Sequence, residues 1–130
     1  MKKLIVRTES LDDFLARAKD VARHVDAGGQ LERSITISFN DVVEMAAVLT
    51  KERIRMLQAL LGVEKTVSEL AFELHRNQQS VARDVKQLEN RGLLFAKLVS
   101  NPGHGRHKVV RAAAPRMELS AAIDENTIAA

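Results

Sequence analysis

Between Thr66 and Gly92 the chain reads TVSELAFELHRNQQSVARDVKQLENRG, and this stretch constrains the fold more than any other. Thr66 and Glu69 have the T-x-x-E spacing of a capping box, in which each side chain satisfies a backbone donor beside the other residue. Leu70, Ala71 and Leu74 give the helix after this box an inner face only about two turns long. After His75 and Arg76, Asn77 caps a second helix whose Val81, Val85 and Leu88 fall at i, i+4 and i+7, and Gly92 supplies its C-terminal cap. A chain that ends one short helix and starts another within three residues has to turn sharply between them.

The second helix divides cleanly. At about 100° per residue its valine and leucine positions lie within about 60° of each other, while Gln79, Arg83, Lys86 and Asn90 gather on the opposite side. A short helix, a three-residue turn and a longer helix with one packing face and one face of long polar donors is the helix-turn-helix arrangement, whose second helix enters the major groove. A polar face alone is ordinary for a solvated helix, so the weight rests on the context: the capped two-turn helix before it, the turn of the right length and the segment beyond Gly92. LLFAKLV (93–99) and HKVVRA (107–112) are β-prone and are separated by SNPGHGR, in which Pro102, Gly103 and Gly105 favour a turn. Helix, glycine, apolar pair, strand, basic turn and strand is the order of a winged helix. Arg106 is the residue best suited to a backbone or minor-groove contact, supported by His104, His107 and Lys108.

Charge agrees with this placement. Residues 1–65 hold 11 basic and 10 acidic side chains, residues 66–111 hold 8 and 4, and residues 112–130 hold 1 and 3, so the excess of +4 lies in the middle segment. A basic segment between near-neutral ones points to a polyanionic partner, although a solvated basic face is the commoner meaning of a few extra charges; with the helix-turn-helix pattern in the same segment, double-stranded DNA is the expected partner. With no cysteine, disulfides, thiolate zinc sites and cysteine nucleophiles are excluded, which fits a reducing cytoplasm. MKKLIVRTESLDD lacks the apolar centre of a signal peptide, and no apolar run reaches the ~18 residues of a membrane span. A cytoplasmic protein with no membrane partner is expected.

The first third has a different texture. LIVRT (4–8) suits an edge strand; Ser10 caps a helix with Asp12 and Asp13 in its first turn, and Gly28-Gly29 ends it. Leu11, Phe14, Leu15, Ala18, Val21, Ala22 and Val25 give that helix a strong amphipathic period, and Ile35, Ile37 and Phe39 alternate as a half-buried strand. Residues 1–39 thus read as a β-α-β appendage with its strands in parallel. Two strands cover only part of the helix's apolar face, so the appendage is expected to dimerise or bind another protein. Residues 40–112 form the winged helix-turn-helix domain, with Asn40 capping a helix through about Leu49 and Thr50 capping one that carries Ile54, Leu57, Leu60 and Leu61. Residues 113–130 hold a strand around Met117–Leu119 and a flexible tail. The fold class is α+β.

The run TVSELAFELHRNQQSVARDVKQLENRGLL resembles the helix-turn-helix core of small prokaryotic winged-helix regulators of the MarR and ArsR type. SFNDVVEMAAVLTKERIRMLQAL ahead of it, with SVARDVKQLENRGLL after, is similar to a family of archaeal and bacterial DNA-binding winged-helix proteins; the resemblance spans about residues 38–112. It implies a homodimeric transcriptional regulator, a repressor by expectation, with Gln78, Gln79, Ser80, Arg83 and Lys86 facing DNA. Asn77 at the helix start and Arg106, His104 and Lys108 on the wing complete the expected DNA-binding set. Some relatives serve as antitoxins, which implies as the alternative a small toxin protein as partner and autoregulation of the operon. Asp84 departs from the pattern by putting a negative charge on the helix; a solvated structural charge is its default reading, with Arg76 or Arg91 as the alternative partners.

Other chemistries find little support. His104 and His107 have a zinc-like spacing, but without cysteines or neighbouring acids they fall short of the three or four ligands zinc requires, and no metal or other cofactor is expected. The G-x-x-x-x-G-K-[ST] pattern of a phosphate-binding loop is absent. No carboxylate pair, Ser-His-Asp set or nucleophile elbow stands out, and His24 has no acid or nucleophile beside it. The chain is not expected to be an enzyme.

Overall fold

A computed structural model describes residues 3–28, 34–101, 103 and 105–125. Its chain order is β1 (Lys3–Thr8), α1 (Leu11–Asp26), β2 (Ser34–Phe39), α2 (Val42–Val48), α3 (Lys51–Ala59), β3 (Lys65–Thr66), α4 (Val67–Leu74), α5 (Gln78–Asn90), β4 (Leu94–Asn101), β5 (Gly105–Ala112) and β6 (Met117–Ser120). The chain divides into two units, one formed by residues 1–47 with 116–130 and the other by residues 48–115.

The first unit is built on a three-stranded sheet in the order β2-β1-β6, parallel throughout. Parallel pairing of β1 with β2 requires a crossover, and α1 supplies it. Ser10 caps α1 by accepting from the Asp13 N–H at 3.1 Å, as its place before two aspartates leads one to expect. β1 is not the edge strand expected for a segment of its length. It takes the middle because Leu4–Arg7 pair on their second side with Met117–Ser120, a strand more than a hundred residues away in sequence. Leu4 and Val6 are accordingly buried. Glu9 follows β1 and is gripped by Arg17 from α1 through two donors, at 2.7 and 3.3 Å, and by the Ser38 hydroxyl. The Arg17 hydrogen bond holds the Glu9 carboxyl below the ordinary carboxylate range. Gly28, at φ +85°, carries the chain out of α1; Gly29 lies outside the described residues. The cap of α2 is Asp41 rather than the expected Asn40: the Asp41 carboxylate accepts from the Glu44 N–H at 2.8 Å, and the Glu44 carboxylate accepts from the Asn40 N–H. Strand β6 falls where the sequence suggests one, while residues 126–130 of the expected tail lie outside the described residues.

The second unit is a winged helix-turn-helix. Met56, Leu60, Leu70, Val81, Val85, Leu88, Leu93, Leu94 and Val110 are fully buried and form its core. Burial of this kind is worth roughly 1.5–3 kcal/mol per large aliphatic side chain. Ile54 on α3 and Leu61 just beyond its end sit at the rim, each 37% exposed, while Met56 takes the interior place that the spacing does not assign to it. The second sheet is antiparallel in the order β3-β5-β4. β4 and β5 pair from Leu94↔Ala112 out to Asn101↔Gly105, so the hairpin runs further than the two β-prone segments alone. Gly103, between the two strands, has φ +84°.

Candidate nucleic-acid interface

Helix α4 starts with the expected capping box. The Thr66 hydroxyl accepts from the Glu69 N–H and the Glu69 carboxylate accepts from the Thr66 N–H, each at 3.0 Å. That backbone donor is the main reason the Glu69 carboxyl lies below its ordinary range. The helix stops at His75, which adopts a left-handed conformation at φ 54°, ψ 43°. His75 N–H donates to Phe72 C=O and Arg76 N–H to Ala71 C=O, the double closure of a Schellman end with histidine where glycine is usual. Asn77 then opens α5, its side-chain oxygen accepting from the N–H groups of Gln79 (2.7 Å) and Ser80 (3.3 Å). At the other end Gly92, at φ +77°, closes α5 in the same way, with Gly92 N–H bonded to Glu89 C=O and Leu93 N–H to Leu88 C=O. The sharp turn is therefore fixed by caps on both sides of three residues, as the sequence dictates.

With Val81, Val85 and Leu88 buried to zero exposure, α5 has one rotational setting. Gln78, Gln79, Arg83, Lys86 and Asn90 are exposed, and Ser80 is half-buried on the flank. Asn77 is exposed as well, with its side-chain oxygen committed to the cap. Gln87 is exposed beside Arg83 on the same side of the helix and belongs with this group, although it is absent from the set the sequence predicts. The structure thus sets Gln79, Arg83 and Lys86 of the expected set on one face, with Gln78 and Ser80 about 100° to either side of Gln79.

Asp84 is where the expectation of a solvated charge fails. Its two carboxylate oxygens accept from Arg53 Nε of α3 at 3.2 Å and from Arg76 Nη2 in the turn at 2.7 Å, and its side chain is only 15% exposed. Arg53 also donates to the Val48 carbonyl at 3.1 Å. The residue belongs to a clamp joining α3, the turn and α5, so its charge is spent inside the unit. Arg76 is one of the two arginines the helix period offered; Arg53 comes from another helix, and no local spacing could name it.

On the wing, Arg106 is exposed and stands in register with Ser100 near the far end of the hairpin. Strand alternation sets Arg106, Lys108, Val110 and Ala112 on one face, whose inner end, Val110 and Ala112, is buried. Lys108 differs from a free backbone contact: its ammonium lies 3.6 Å from Glu89 of α5, tying the strand to the helix. On the opposite face Arg111 covers the Phe95 ring at 5.6 Å, and Lys97 pairs with Glu64 at 3.1 Å. His107 is exposed on that opposite face, and His104 lies outside the described residues. No group of three or more His, Asp or Glu gathers in metal-binding geometry among the described residues. None of their helices is long and apolar enough to cross a membrane.

The model of the HVO_A0114 family matches residues 48–119. A comparison with curated protein sequences gives no match. Among solved structures, the chain is similar to one from Methanosarcina mazei Go1 named "Possible transcriptional regulator", at 20% identity over 55% of this chain and 62% of that one, with a TM-score of 0.48. It is also similar to the homodimeric winged helix-turn-helix domain Mb0332 of Mycobacterium bovis, at 22% identity over 56% and 64%, TM-score 0.46. A MarR family regulator from Silicibacter pomeroyi DSS is similar at 21% identity over 78% and 61%, TM-score 0.44. The chain spans less than two thirds of the length of each of these three.

Proposed function

We propose that this chain, which belongs to the HVO_A0114 family, is a transcriptional regulator that binds double-stranded DNA as a homodimer. The observation that carries the reading is the division of α5: three apolar residues locked in the core set Gln79, Arg83, Lys86 and Gln87 outward on one exposed face, beside a hairpin bearing Arg106. In this reading α5 lies in the major groove. Gln78 and Gln79 offer bidentate contacts to adenine, and Arg83 and Lys86 offer donors to guanine or to phosphate, each good bidentate pair discriminating by ~1–3 kcal/mol. Asn77 acts by fixing the helix start, Ser80 by a backbone contact at the flank. Arg106 follows the phosphate backbone, a contact in which the sequence also enlists His104, and Lys108 divides its charge between DNA and Glu89. Repression is the mode proposed, because occupying a promoter asks nothing of the chain beyond binding.

The test is fluorescence anisotropy of the full chain on the duplex upstream of its own gene and on random duplex, at several salt concentrations. Arg83→Ala is expected to weaken the first by ~1–3 kcal/mol and the second far less. Arg106→Ala is expected to weaken both alike and to lower the slope of log affinity against log salt by about 0.9 for each phosphate it no longer neutralises. Absence of salt-dependent binding to either duplex at low salt refutes the reading.

A further inference from the structure

Helix α1 keeps its apolar side open. Every residue of it except Arg17 is exposed, including Leu11 at 69%, Phe14 at 42%, Leu15 at 48%, Val21 at 38% and Val25 at 46%. Single exposed apolar residues are normal on a protein surface, but a continuous face along four turns marks an interaction site.

The face has an internal order that selects its occupant. Ala18 lies at its centre. At 100° per residue Leu11 and Val25 sit about 20° to either side of Ala18, Phe14 and Ala22 about 40°, and Leu15 and Val21 about 60°. Each member has a counterpart the same number of residues away in the other direction along the helix. Such a face is complementary to itself under a two-fold axis that crosses the helix at Ala18 and reverses its direction. Ala18 then meets its own copy and lets the helix axes come within about 8 Å. Leu11 meets Val25 near the middle. On one flank Leu15 meets Ala22, on the other Phe14 meets Val21, so the larger side chains oppose smaller ones.

Charge and shape together favour one direction. The first turn of α1 is acidic, with Asp12 and Asp13, and the last holds Arg23 and His24 beside Asp26. A reversed pair sets Asp12 on the same flank as both Arg23 and Asp26 of the other copy, and Asp13 on the same flank as His24. A parallel pair sets Asp12 beside Asp13, Lys19 beside Arg17, and the bulky Phe14 against Leu15. Charges at the rim of an interface fix orientation more than affinity, which is what is needed here. In the reversed pair Arg17, close to its own copy, is already neutralised by Glu9, and Lys19 has a stem long enough to turn its ammonium away.

We propose that a second copy of this chain covers the face: α1 packs antiparallel on α1 of its partner about a two-fold axis at Ala18. A 16-residue helix is about 24 Å long, and a stripe about 10 Å wide along it falls well short of the ~800 Å² per partner of a standard interface. The dimer made by this contact alone therefore dissociates on dilution. The proposal stands independently of DNA binding, which the anisotropy measurements judge separately.

The chain has no cysteine, so single introduced thiols report without background. Under mild oxidation Ala18→Cys is expected to form a disulfide-linked homodimer, since a bridge needs Cα atoms about 4.4–6.8 Å apart. Ala16→Cys, on the far side of the helix, is not. Leu11→Cys and Val25→Cys are each expected to remain unlinked alone and to link when mixed, because in the reversed pair like positions stand about 21 Å apart. Sedimentation equilibrium of the unmodified chain is expected to show a reversible dimer, and Leu15→Glu a monomer with unchanged helical circular dichroism. The proposal is overturned by any of four outcomes: a monomer up to about 0.1 mM, Ala18→Cys linking no faster than Ala16→Cys, Leu11→Cys linking to itself, or an undiminished dimer in Leu15→Glu. A monomer that captures a different protein, a small toxin for example, through α1 overturns it too.

Discussion

Replacing Asp84 by alanine removes the acceptor on which two arginines converge. Arg76 Nη2 at 2.7 Å and Arg53 Nε at 3.2 Å both lose their partner, and their side chains are only 24% and 19% exposed. Hydrogen bonds involving a charged group are worth ~1.5–3 kcal/mol each in partly buried settings, whereas pairs on open surface contribute ~0–1 kcal/mol. The two bonds are not additive, because each freed guanidinium regains water through its remaining exposure and Arg53 keeps the Val48 carbonyl. The expected loss is about 2–4 kcal/mol. For a unit of 48–115 that corresponds to a fall of roughly 15–30 °C in the midpoint of its transition. Urea unfolding followed by circular dichroism measures this directly, and a double-mutant cycle of Asp84→Ala with Arg76→Ala isolates the shorter bond. A loss below about 0.5 kcal/mol refutes the clamp and returns Asp84 to the status of a solvated charge.

His75 holds a left-handed conformation without being glycine, so His75→Gly is expected to stabilise the second unit by about 0.5–1 kcal/mol in the same urea assay. No gain would mean that the imidazole makes a compensating contact. Glu9 has a folded-state pKa below its unfolded value, so the stability it contributes is full above the unfolded pKa and disappears as pH falls through the folded one. Glu9→Gln is expected to be less stable than the unmodified chain at neutral pH and to converge with it under acid. Parallel curves of midpoint against pH for the two chains would contradict that assignment.

Local signals carried the second unit far. Caps at Thr66 and Asn77, the glycine at 92 and the apolar spacing of Val81, Val85 and Leu88 act between residues at most a few positions apart, and each stands where the pattern puts it. The failures are of longer range. The central place of β1 depends on a strand beginning at Met117, and the partners of Asp84 include Arg53, 31 residues upstream. The attachment of Lys108 to Glu89 likewise follows from how β5 crosses α5, which no spacing encodes. Met56 outranks Ile54 in burial because neighbouring helices, not the period of α3 alone, decide which of its sides is innermost. The polar face of α5 was legible for the opposite reason: it is defined by what the core takes away.

Strand β6 changes what the two ends of the chain mean. Because β6 returns to lie beside β1, the winged helix is an insertion between strands of the first sheet, entered near residue 47 and left near residue 116. The two units are thus joined by two covalent crossings. A protease that cuts one crossing leaves them attached through the other and through the hydrogen bonds of β1 with β6. Shortening the chain after Ala112 does not trim a loose end; it strips a sheet of one edge and leaves Leu4–Arg7 with unpaired backbone groups on that side. The winged helix can be isolated only by cutting on both sides of it.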